Sequence, residues 1–231
     1  MTAQHRDAGV PDASLGLDDP PAIAGVGMTE FASADDRPLI DLLLAAAERA
    51  LDDAECDASA VDSVHVGNMA AEAFNERSGL ANALTGSLGL TGVTARRIEN
   101  TSASGASAVQ SAFEAVAGGH STHALAVGGE KMSSADTATA TEIISRLTHD
   151  REYEQGVTLP SFGGLAAAAY LDAYDADRRD LARISVKNHA NAAKNEYAQF
   201  RKRIDIDDVL DSPAVASPLR LYDCCPTSDG A

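Results

Sequence analysis

Between Ala22 and Gly128 the chain alternates short apolar runs with helix-length segments, and this alternation limits the fold more than any other property of the sequence. Ala22–Met28, Ser63–Met69, residues 94–100 and His123–Gly128 are runs of strand length. Between them lie segments of helical period. Pro38 opens the first, where Leu39, Leu43, Ala46, Ala47 and Ala50 form one apolar stripe through about Asp53. The second spans about 79 to 89 and stops at Gly89, and the third runs from Ser102 to about Ala117 and stops at Gly118-Gly119. Successive parallel strands need a crossover, so this rhythm predicts βαβ units and a largely parallel sheet.

After Gly128 the rhythm changes. Residues 133–160 show weak periodicity, helices are expected at 161–175 and 178–199, and Ile204–Pro218 reads as an irregular return. An excursion of this length commonly covers an active site. Leu219–Asp223 is expected to re-enter the sheet as a fifth strand. Pro226–Ala231 is a turn sequence directly after that strand, which reads as the first half of a larger fold.

The join at residues 99–109, Glu-Asn-Thr-Ser-Ala-Ser-Gly-Ala-Ser-Ala-Val, ends the third strand and starts a helix of almost bulk-free residues. Ser102 sits at that join and is the candidate catalytic residue. Amides in the first turn of a helix lack intrahelical partners and carry the positive end of the dipole, so a nucleophile there meets donors for a developing oxyanion. Ser-Ala-Ser-Gly is equally ordinary N-capping chemistry, and spacing alone does not separate the two readings. Gly105 inside the helix predicts that something packs where a side chain would stand.

Composition narrows the partners. The 231 residues carry 35 Asp plus Glu against 18 Lys plus Arg, a formal charge of −17, which argues against nucleic acid. So acidic a chain fits a cytoplasm of high ionic strength, where a Debye length of about 3 Å at 1 M salt screens self-repulsion. Cys56, Cys224 and Cys225 offer no Cys-x-x-Cys spacing, so neither a disulfide framework nor a zinc site is expected. No apolar run reaches the ~18 residues of a membrane span, and residues 1–20 read as a disordered leader without a signal peptide.

Four segments in order resemble the thiolase family, in its branch of archaeal acetyl-CoA acetyltransferases and sterol-carrier-type thiolases. Asn100-Thr-Ser-Ala-Ser-Gly105 is similar to the family's Asn-x-Cys-Ala-Ser-Gly nucleophile segment, and Val127-Gly-Gly-Glu-Lys-Met-Ser133 to its Gly-Gly-x-Glu-x-Met-Ser segment. Val186-Lys-Asn-His-Ala-Asn-Ala192 resembles its Val-Lys-Asn-His helix, and Ser217–Asp223 with Ser228-Asp-Gly-Ala231 its return into the sheet. The resemblance covers 22–231 and implies the N-terminal half of an α/β/α/β/α sandwich, with a mainly parallel five-stranded sheet and a helical loop region at about 133–216.

It also implies ping-pong acyl transfer on coenzyme A thioesters, with acyl-CoA and CoA as substrates and no bound cofactor or metal. Ser102 stands where the family usually carries cysteine. A hydroxyl needs a general base within hydrogen-bond reach, whereas a thiol is readily made into thiolate. The family's base lies in a Gly-His-Pro motif of the second half, with a Cys-x-Gly segment nearby, and neither motif occurs in these residues. Activity is therefore expected only when a C-terminal half completes the site, for example from a second polypeptide. The alternative is a catalytically silent thiolase-like subunit that binds acyl-CoA or scaffolds a partner. The cysteine pattern and the lack of a signal peptide make a reducing cytoplasm the expected location, and family likeness implies a homo-oligomer in which residues 94–100 meet their counterpart. His189 is read as a packing residue. Arg146, Arg151, Arg201, Lys202 and Arg203 are the available cations for CoA phosphates and are read as a solvated cluster.

Overall fold

The computed structural model describes residues 20–231, so residues 1–19 of the expected leader lie outside the described residues. Three parallel strands form the sheet, β1 (Ser63–Gly67), β2 (Thr94–Ile98) and β3 (Ala124–Gly128), in the order β2-β1-β3. Gly67 is level with Ile98 on one side and Gly128 on the other, so the three strands end together. Every residue of the central β1 is buried, while the edge strand β2 exposes Thr94 and Arg96. Charge on an edge discourages further pairing.

Helix α1 (Leu39–Asp53) covers one face through Leu39, Leu42, Leu43, Ala46 and Ala47, as its stripe predicts. A short α2 (Ala71–Asn75), which has too few residues to show a period, follows β1, and α3 (Leu80–Ser87) buries Leu80 and Leu84. Leu39, Leu43, Val64, Val66, Leu80, Leu84, Leu125 and Val127 pack into one core. Helix α4 (Ser104–Ala117) lies on the sheet, burying Ser104, Ala108 and Ala112. Beneath it His65, fully buried, bonds Ser111 Oγ at 3.0 Å and Ser63 Oγ at 3.1 Å.

Beyond β3 the two-residue β4 (Glu130–Lys131) precedes the excursion. The weakly periodic stretch holds α5 (Thr137–Ser145) and α6 (Asp150–Glu154), and the two expected helices are α7 (Leu159–Ala173) and α8 (Arg178–Ala192). The expected irregular return contains α9 (Ile206–Asp211), where Asp205 caps the Asp208 N–H at 2.8 Å. A three-residue acidic cap with little apolar period leaves a short helix hard to foresee. Ala182, Ile204 and Val209 form a second, smaller core.

The α/β class and the parallel sheet are as expected, but the sheet holds three strands among the described residues rather than five. Ala22–Met28 forms no strand. It lies along α1, where a Cβ on Gly25 or Gly27 would stand 2.4–2.5 Å from backbone of Ala46, Ala50 or Ala54. The Val26 N–H reaches the Asp53 carboxylate at 2.8 Å, and Ile23 and Val26 remain exposed. Leu219–Asp223 does not re-enter the sheet either. Leu219–Arg220 (β6) pairs with Ala214–Ala216 (β5) in a local antiparallel hairpin, and Leu221–Asp223 turns as a short 3-10 helix. A tight local connection makes this pairing easier to form than a long-range one.

The return is made by β7 (Asp229–Gly230), antiparallel to β4 with Glu130 opposite Gly230. On its other side Asp229 exchanges backbone hydrogen bonds with Ala32 at 2.8 and 3.1 Å. Asp229 is fully buried and ion-paired with Lys131 at 3.2 Å, and it accepts from the Ser133 N–H at 2.9 Å and the Asp35 N–H at 2.8 Å. Burial alone pushes its carboxyl up, but these donors outweigh that and hold it below the usual range.

Candidate active site

Because the three strands end level, the loops that follow them converge on one rim, the usual place for ligands in an open α/β sheet. After β2 the chain turns at Asn100–Ala103. The Ser104 hydroxyl holds this turn, accepting from the Asn100 N–H at 2.9 Å and donating to the Thr101 carbonyl at 2.7 Å. The Asn100 amide donates to Ser107 Oγ at 2.9 Å. Thr101 has φ 46°, a left-handed conformation that a β-branched residue adopts only under strain.

Ser102 follows that strained residue and is exposed. Among the described residues neither its hydroxyl nor its N–H takes a hydrogen-bond partner. It lines a cavity of about 460 Å³ with Gly67, Asn68, Met69, Gly105, Gly128, Gly129 and Glu130, closed on another side by Phe31, Ser228 and Ala231. Glycine is required at the base of this cavity. A Cβ on Gly67 would stand 2.6 Å from the Ser104 carbonyl oxygen and 2.9 Å from Gly105 Cα, so the absent side chain lets α4 descend onto β1.

The expectation for Gly105 is corrected by the same geometry. A Cβ there would meet nothing within 4 Å, because its open side faces the cavity, and the close approach is made by its Cα against Gly67.

Glu130 is the ionisable member of the cavity lining, and its oxygens are engaged. Oε2 accepts from the Met69 N–H at 3.0 Å and Oε1 from the Asn68 side chain at 2.9 Å. Burial pushes its pKa up, against the pull of these donors and of Arg97. The motif that contains Glu130 was visible in the sequence, but a role at this rim was not, since its partners lie about sixty residues away.

The remaining candidates stay apart from the cavity. The His189 ring packs edge-on to Tyr222 at 5.5 Å and its Nδ1 contacts the Lys202 carbonyl at 3.1 Å. Arg146 pairs with Glu142 at 2.7 Å. Cys224 is half-buried, and burial pushes its thiol pKa up, which disfavours a thiolate. Among the described residues no group of His, Cys, Asp and Glu gathers to hold a metal ion, and no helix is long and apolar enough to cross a membrane.

Residues 22–231 match the family described as Thiolase, N-terminal domain. The chain belongs to the thiolase family. Two curated thiolase-type relatives are acetyl-CoA acetyltransferases, from Methanothermobacter thermautotrophicus (37% identical over 212 residues) and Methanocaldococcus jannaschii (38% over 212). Each alignment takes in 91% of this chain and 55% or 53% of the relative, so the chain spans about half the length of these proteins. A solved structure described as Ltp2-ChsH2(DUF35) aldolase is similar at TM-score 0.72 and 26% identity, covering 90% of this chain and 53% of that one.

Proposed function

We propose that this chain carries the nucleophile of a thiolase-type acyl-CoA C-acyltransferase, with Ser102 as the acylated residue. The observation that carries the reading is the placement of Ser102, exposed and, among the described residues, unpartnered just before α4, on the rim of a cavity at the ends of three parallel strands. The Ser102 oxygen attacks the thioester carbon of an acyl-CoA while its proton passes to a base. The tetrahedral oxyanion is held by backbone amides at the helix start, and the C–S bond breaks to release CoA and leave an acyl-enzyme. A second acyl-CoA, deprotonated at its α-carbon, then takes the acyl group to give a 3-ketoacyl-CoA, and thiolysis is the reverse path.

The base comes from additional polypeptide. Glu130 is already bound to backbone amides, and the other cavity-lining side chains do not ionise. The exposed apolar side chains of Ile23 and Val26 support a place for that polypeptide. Exposed Phe162, Leu165 and Tyr170 on α7, with Tyr174 at its C-cap, suit burial in a larger assembly. We read that assembly as a cytoplasmic oligomer acting on acetyl-CoA or a similarly short acyl-CoA, in a cell of high ionic strength.

The acyl-transfer reading is tested by steady-state assay of the assembly purified from its native cells with acetyl-CoA. Formation of acetoacetyl-CoA that Ser102→Ala abolishes supports it, and undiminished turnover in that variant refutes it. The second reading, a catalytically silent subunit, is favoured by one observation: among the described residues, the cavity lining holds no free base. It predicts acyl-CoA binding with no turnover in either form.

A further inference from the structure

The loop after β1, Asn68–Ala70, forms the wall of the cavity nearest α2, and it is held from both sides by opposite charges. From the β3 side, Glu130 accepts the Met69 N–H at 3.0 Å, the Ala70 N–H at 3.4 Å and the Asn68 side chain at 2.9 Å. From the β2 side, Arg97 donates Nε to the Asn68 carbonyl at 3.2 Å and Nη2 to the Met69 carbonyl at 3.0 Å. The remaining Arg97 nitrogen pairs with Glu72 of α2, whose carboxyl that contact holds below its usual range. The Asn68 amide, almost fully buried, closes the frame by donating to the Gly129 carbonyl at 2.9 Å and accepting the Ala71 N–H at 3.0 Å.

Each backbone N–H and carbonyl from Asn68 to Met69 is thus taken by a named partner, since the Asn68 N–H reaches the Ile98 carbonyl at 3.3 Å. Ordinary loop closure does not need a half-buried carboxylate, which costs desolvation unless strong donors surround it. The expenditure is concentrated at one place, the loop that shares a cavity with Ser102.

We propose that Glu130 is a positioning residue of the Ser102 site: its carboxylate, with Arg97 opposite, fixes Asn68–Ala70 so that Met69 stands as a rigid wall beside the incoming acyl group. The proposal rests on the acyl-transfer reading for the last clause and on geometry alone for the rest. The clamp works only with the anion, because a neutral carboxyl or amide presents a hydrogen where the Met69 or Ala70 N–H must donate. The charged groups around Glu130 are Arg97 from β2, Glu72 behind it on α2, and Lys131, which is engaged with Asp229 on the other side of β4. Burial raises the Glu130 pKa, so acid releases the clamp earlier than it would release an exposed carboxylate.

The test uses amide hydrogen exchange on the full chain together with acetylation of Ser102 by acetyl-CoA in the native assembly. In Glu130→Gln the Met69 and Ala70 amides should exchange about ten- to a hundredfold faster, with β1 amides unchanged as the control for folding. Arg97→Gln should loosen the same loop, and Glu130→Asp should restore part of the protection. In the wild type, loss of protection at Met69 and Ala70 on acidification should share its midpoint with the carboxyl titration of Glu130, and acetylation should fall with it, while Glu130→Gln lacks that step. Unchanged exchange at Met69 and Ala70 in both Glu130→Gln and Arg97→Gln overturns the clamp. Faster exchange with an unaltered acetylation rate and pH profile overturns the positioning role. Absence of acetylation in the wild type counts against the acyl-transfer reading, and the exchange data still decide the clamp.

Discussion

Replacing Gly67 with alanine tests how closely the nucleophile turn is tied to the sheet. The added methyl would stand 2.6 Å from the Ser104 carbonyl oxygen, 2.8 Å from its carbon and 2.9 Å from Gly105 Cα, where ordinary contact begins at 3.4 Å. All three obstacles are backbone of α4, so no side-chain rotation relieves them. The helix start must retreat by about 0.8 Å or the strand must bow, a strain of the kind that costs about 1–3 kcal/mol in a packed core. For a domain of this size each kcal/mol lowers Tm by roughly 2–4 °C, so Gly67→Ala should melt about 2–12 °C below the wild type. Because Ser102 rides on the displaced helix start, its acylation should fall by more than the loss of folded protein explains. Gly105→Ala is the matched control: its Cβ meets open space, and helix propensity predicts a gain of up to about 1 kcal/mol in the chain alone. Differential scanning calorimetry on the two variants decides the matter. A Gly67→Ala protein with wild-type Tm would refute the close packing of α4 on β1.

Thr101→Gly should raise stability by about 1 kcal/mol, because glycine adopts φ 46° without the strain of a β-branched residue, as chemical denaturation would report. Asp229→Asn leaves Lys131 without its buried anion and should cost about 3–5 kcal/mol, measurable as a lower denaturant midpoint. Stability should fall at acid from two sources whose signs agree. His65 has a folded pKa below its ordinary value because of burial and then Arg96, so the unfolded chain takes up the proton first and stability drops as pH falls below about 6.5. Asp35 is held at about 2, chiefly by its hydrogen bond from Arg37, so its contribution is present above about 3.9 and is lost as pH falls towards 2. His65→Gln should remove the first step and leave the second in pH-dependent melting curves. With a formal charge of −17, the chain should lose Tm as KCl is lowered from molar to millimolar, and a salt-independent Tm would contradict the high-salt reading.

The parts of the fold that the sequence made legible are those where periodicity and capping agree. Leu39, Leu43, Ala46 and Ala47 lie on the face that packs on the sheet, and the Gly118-Gly119 stop ends α4 at Ala117. Residues 22–28 misled because an apolar run with glycines has the same pattern whether it pairs with a strand or lies on a helix. Gly25 and Gly27 serve the second purpose here, against the backbone of α1. Leu219–Asp223 misled because alternation does not say which partner a strand will find, and Ala214–Ala216 was closer. At the site, the strand-to-helix join between Ile98 and Ser104, on which the proposal for Ser102 rests, was legible. The Thr101 conformation and the Glu130–Arg97 frame were not, since they depend on strand register and on contacts between residues far apart in sequence.

Acyl transfer by this chain would depend on the chemistry of one oxygen, the Ser102 Oγ. Peptide mass spectrometry of the native assembly, quenched in acid shortly after mixing with acetyl-CoA, should find an acetyl group on the peptide containing Ser102 and none there in Ser102→Ala. Turnover with that peptide unmodified at every quench time, or an acetyl group carried instead by Cys224 or Cys225, would contradict it.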